Sequence, residues 1–85
     1  MSDHPTNFQG DVLAAIRDAI GAKIPGARVE VNGGGGHYSI DVTSAEFSGL
    51  GMLASQRLVY GAIAHLMSGD RAPIHAVDTL TTKTA

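Results

Sequence analysis

Eighty-five residues with a mass of 8.7 kDa make one small domain, because chains below about a hundred residues rarely divide into two. The 6 Lys and Arg against 8 Asp and Glu leave a net charge of -2 and no strong attraction to a phosphate backbone. The absence of cysteine excludes disulfides, thiolate nucleophiles and any metal site built wholly from the chain's own thiolates. With 44% hydrophobic residues, 11 Gly and no Trp, the composition is globular, and the core has to be drawn from Val, Ile, Leu and Ala.

The first ten residues read as a disordered lead-in. Met1-Ser2-Asp3-His4-Pro5 has neither a basic n-region nor an apolar h-region, and no apolar run approaches the roughly 20 residues that cross a bilayer. A cytoplasmic protein without membrane contact is expected. From Asp11 to Ala22, the helical spacing of Val12, Ile16, Ala19 and Ile20 predicts an amphipathic helix, ended by Lys23-Ile24-Pro25-Gly26. Ala27 to Asn32 alternates, with Val29 and Val31 on one side, as a half-buried strand does. A second alternation sets Tyr38, Ile40 and Val42 against His37, Ser39 and Asp41, and the glycines 33–36 between the two strands predict an antiparallel hairpin.

Thr43-Ser44-Ala45-Glu46-Phe47 suits a short capped turn of helix. The main helix is expected from Gly51 to Met67, on the apolar stripe of Leu58, Ala62 and Leu66 beside Val59, Ile63 and Met67. Ser68 to Pro73 breaks it, and Ile74 to Leu80 reads as a last strand before a Thr-rich tail, Thr81 to Ala85. The connection from the second strand to the third carries a helix, so those strands are expected to be parallel neighbours. The result is an α+β domain of order α-β-β-α-α-β, with helices on one face of a mixed three-stranded sheet.

Chemistry is concentrated at two histidines. His37 opens the second strand and His75 nearly opens the third, so parallel neighbours would bring both to one end of the sheet. Two imidazoles make a partial site for Zn or Fe whose remaining ligands come from outside; the alternative is two ordinary strand-end histidines. His4, in the lead-in, and His65, on the main helix, are set aside. The four glycines join two strands rather than feeding a helix, which argues for a hairpin loop against a phosphate cradle. Ser39 and Asp41 share one strand without a nucleophile elbow, and so thin a core leaves little wall for a water-excluding pocket. A binding module is expected, not an enzyme.

The runs Val29-Glu30-Val31-Asn32, His37-Tyr38, Phe47-Ser48-Gly49, Gln56-Arg57-Leu58-Val59-Tyr60 and Ile74-His75-Ala76-Val77 fall in an order and spacing that resemble the BolA family across about Val12 to Thr82. The short hairpin and Gln56-Arg57, where BolA proper has an Arg-His-Arg-like sequence, resemble its IbaG-like branch. The resemblance implies one BolA-like domain over residues 11–82 with a tail at 83–85, and a fold similar to the type II KH domain. It also implies pairing with a monothiol glutaredoxin and its glutathione, and a shared [2Fe-2S] cluster held on this side by the histidine matching His75. No cluster is expected in the isolated chain. Imidazole replaces thiolate on one iron in Rieske-type centres, which accords with a chain lacking cysteine.

Two departures from the family's pattern bear on this assignment. The position matching the loop ligand of cysteine-loop members falls near Gly34, and His37 is the candidate substitute. The usual continuation after the last strand is missing, so a final helix is not expected. A partner surface is expected at Arg57, Tyr60, Ile74 and Ala76. Two other functions stay open: a BolA-type DNA-binding transcriptional regulator, for which this charge gives only weak affinity, and a metal-free protein-protein adaptor. A homodimer is compatible with the sequence.

Overall fold

The Asp11 carboxylate accepts a hydrogen bond from the Ala14 amide at 3.3 Å and so caps the first helix, α1 (Val12–Lys23). Asp11 is also the first residue of the computed structural model that can be described: it covers residues 11–85, and the lead-in expected to be disordered, with His4, lies outside them. Helix α1 buries Ile16 and Ile20, and Ile24 follows them into the core just past the helix end. Gly26, at φ 81°, then turns the chain into the sheet.

Strands β1 (Arg28–Gly34) and β2 (His37–Thr43) pair antiparallel from Arg28 opposite Thr43 to Gly34 opposite His37. The sequence predicts a strand ending at Asn32 and a four-glycine loop. Pairing in fact continues through Gly33 and Gly34, and only Gly35 (φ 62°) and Gly36 (φ 88°) make the turn. Two successive positive φ values match the twist of a two-residue hairpin, which is why glycine is needed at both places.

Strand β3 (Ala76–Lys83) lies parallel to β2, giving the expected mixed sheet in the order β1-β2-β3. Its boundaries differ from the Ile74 to Leu80 expected from sequence. Ile74 is buried and its amide bonds to the Leu66 carbonyl, so it belongs to the turn before the strand. Thr81, Thr82 and Lys83 are strand rather than tail, paired with Asp41, Val42 and Thr43. The β-branched threonines suit a pleated, half-buried surface. Beyond them, the Ala85 amide bonds to the Ser44 carbonyl.

A 3-10 turn at Ala45–Phe47, capped by the Ser44 hydroxyl, leads to α2 (Met52–Ile63). The expected helix to Met67 tightens after Ile63 into a 3-10 turn, Ala64–Leu66, which brings Leu66 into the core. Val59, Ala62, Ile63 and Leu66 are buried, while Leu58 and Met67 are half-buried at the margin. The helices cover the sheet face carrying Val31, Tyr38, Ile40 and Val42. Arg28, Glu30, Asn32, His37 and Asp41 are exposed. Each fully buried isoleucine contributes about 1.5–3 kcal/mol, so a core with Ile16, Ile20, Ile24, Ile40, Ile63 and Ile74 in it compensates for the lack of Trp. Among the described residues no helix is long and apolar enough to cross a membrane.

Candidate metal centre and partner surface

The site is built on the hairpin turn. The Gly36 carbonyl accepts two amides from across the sheet, His75 at 2.7 Å and Ala76 at 2.9 Å, which fastens the start of β3 beside the start of β2. His37 is the next residue along the turn. The two imidazoles therefore converge as the parallel pairing predicts, with ring centroids 5.5 Å apart and planes tilted by 53°.

Gly34 pairs directly with His37, and nothing lies within 4 Å of where its Cβ would stand, so this position has room for a side chain. Gly33 is different. A Cβ there would collide with the His37 carbonyl oxygen, so the backbone approach depends on glycine.

A third residue was not singled out from sequence. The β2–β3 register shifts between Tyr38 and Ser39, whose partners are Val77 and Thr79, and Asp78 is the extra residue in the resulting bulge. Its carboxylate oxygen lies 3.2 Å from Nδ1 of His37, and both side chains are 54% exposed. A contact this open to water contributes little stability. Its placement was hidden in the sequence because the two residues are 41 positions apart and no local pattern pairs them.

The ring spacing fits a shared ion. Two imidazoles that each bind one ion at about 2.1 Å have centroids roughly 5 Å apart at a tetrahedral angle. Among the described residues no group of three or more His, Cys, Asp or Glu side chains is placed to hold a metal, so the two imidazoles alone do not make a complete site.

The residues expected at a partner surface divide. Arg57 is exposed on α2, Tyr60 is 40% exposed one turn further on, and Ala76 is half-buried at the head of β3. Ile74 does not belong with them: its side chain is 1% exposed and packed in the core, with nothing to offer a partner. Leu53, which sequence reasoning missed, is 63% exposed and shares a face of α2 with Arg57 and Tyr60 at spacings of four and three. Met52 and Leu50, both exposed, extend this apolar surface toward the helix start. An apolar residue beyond the expected helical stripe was the available signal. The six cations, Arg17, Lys23, Arg28, Arg57, Arg71 and Lys83, are dispersed over both helices, two strands and a turn.

A family model described as BolA-like protein matches residues 8–85. Among solved structures, BolA1 from Arabidopsis thaliana superposes with a TM-score of 0.73 at 16% identity, covering 89% of this chain and 94% of that one. A BolA protein homologue from Coxiella burnetii gives 0.65 at 30% identity, covering 88% and 90%. The BolA domain of SufE1 from Arabidopsis thaliana gives 0.72 at 20% identity, covering 91% and 95%. A comparison with curated proteins found no match. The mixed three-stranded sheet with its two helices is the fold of these BolA structures, and with a family model spanning nearly its whole length, this chain belongs to the BolA family.

Proposed function

We propose that this chain is a non-enzymatic iron-sulfur protein on the IbaG-like branch of its family, which pairs in the cytoplasm with a monothiol glutaredoxin and shares a [2Fe-2S] cluster with it. The observation that carries the reading is the pairing of His37 and His75, with ring centroids 5.5 Å apart at the exposed end of the sheet. In a shared cluster the imidazoles of His37 and His75 would hold iron in place of thiolate, and the partner's thiolate and glutathione would supply the remaining ligands. The chain's own contribution is positional. The Gly36 carbonyl holds the backbone of His75 beside the hairpin, and His37 pairs with Gly34, near which the loop ligand of cysteine-loop relatives falls. The adjoining surface of Leu53, Arg57 and Tyr60 is suited to receive the partner.

Co-expression with a monothiol glutaredoxin, followed by the visible absorption and circular dichroism of the purified complex, tests this. His75→Ala is expected to abolish the mixed-complex spectrum and His37→Ala to weaken it, each with the far-ultraviolet signal of the fold unchanged. An unchanged cluster spectrum in the double variant would overturn histidine ligation, and a complex that forms without any cluster would establish the metal-free adaptor instead. Regulation through DNA is the less favoured reading because the six cations form no stripe.

A further inference from the structure

We infer that Asp78 is a positioning residue which fixes the tautomer of His37, so that the ring keeps its proton on Nδ1 and presents Nε2 as its single lone-pair nitrogen. A carboxylate only accepts hydrogen bonds, so across the 3.2 Å separation the proton belongs to the imidazole Nδ1. A neutral imidazole has one donor and one acceptor nitrogen, and committing Nδ1 as donor commits Nε2 as the atom that can bind a metal. Metal-binding histidines commonly have such a carboxylate behind them, where it orients the ring and raises its donor strength.

The sheet supplies the geometric support. His37 and Ser39 lie on one face of β2, and Asp78, the residue left between the Val77 and Thr79 pairings, is exposed on the neighbouring strand with its carboxylate at His37, although the two residues are 41 positions apart in sequence.

This inference rests on the reading of His37 as an imidazole ligand, yet its first test needs no metal. In the isolated 15N-labelled chain, at a pH where the ring is neutral, long-range proton-nitrogen correlation should show His37 protonated on Nδ1. Asp78→Ala should shift the ring toward the Nε2-protonated form, while Asp78→Asn, which keeps an oxygen acceptor, should preserve the original pattern. An Nε2-protonated ring in the parent chain, or a pattern indifferent to Asp78→Ala, would overturn the assignment.

The second test uses the cluster-loaded complex with a monothiol glutaredoxin. Asp78→Ala should speed cluster loss by about tenfold or more, and in a His37→Ala background the same change should add nothing. An equal effect in both backgrounds would show that Asp78 acts by another route. If the tautomer behaves as stated but neither histidine affects the cluster, the proposed function fails while the control of the His37 ring by Asp78 stands.

Discussion

Two adjacent glycines with different duties show how much a single residue type conceals. Gly33 has φ 128° and backbone atoms of β2 where a Cβ would sit; Gly34 has open space. Gly33→Ala is expected to cost at least about 2 kcal/mol, through strain at positive φ and the displaced strand. Gly34→Ala should lie within about 1 kcal/mol of the parent. Urea unfolding with unchanged slope reads both. The sequence shows four glycines and the need for a turn, and the convergence of His37 and His75 follows from it once the strands are parallel. Which glycine is sterically required, and that Asp78 reaches His37, depend on pairing register, which no local pattern encodes.

Helix α2 is tied to β3 by more than apolar packing. The buried Ser55 hydroxyl donates to the Met52 carbonyl at 2.9 Å and hydrogen-bonds the Thr82 hydroxyl at 2.7 Å, and the Gln56 amide donates to the Leu80 carbonyl at 3.1 Å. Ser55→Ala is expected to destabilise by about 1–2 kcal/mol, since it leaves the Thr82 hydroxyl half-buried without this partner. A double-mutant cycle with Thr82→Val, read by thermal unfolding, should give a coupling of about 0.5–1.5 kcal/mol. These ties account for the misjudged end of the last strand. Thr81 to Lys83 carry little local signal and resemble a polar tail, yet β2 pairs with them and α2 bonds to one of them. The helix stripe and the strand alternations were legible because they record burial directly. The 3-10 ending of α2 was not, because a pattern spaced by three and four continues through Leu66 whichever way the last turn is wound.

At the scale of the molecule, a net charge of -2 with dispersed cations sets the expectation for nucleic acid: weak association with labelled duplex at physiological salt, no sequence preference, and a shallow salt dependence. Sub-micromolar, sequence-selective binding would contradict it. The arrangement of the sheet also has a consequence for the order in which the chain folds. The β1-β2 hairpin closes a two-residue turn, whereas His37 meets Ala76 only when a segment of nearly forty residues has been gathered in. Hairpins form in microseconds, and distant strand pairings are slower because chain entropy is lost before their contacts are gained. The bonds from His75 and Ala76 to Gly36 therefore belong to the late events of folding. A partly folded chain has its hairpin and His37 but no second imidazole beside it, so the pair of rings is assembled only once β3 has docked.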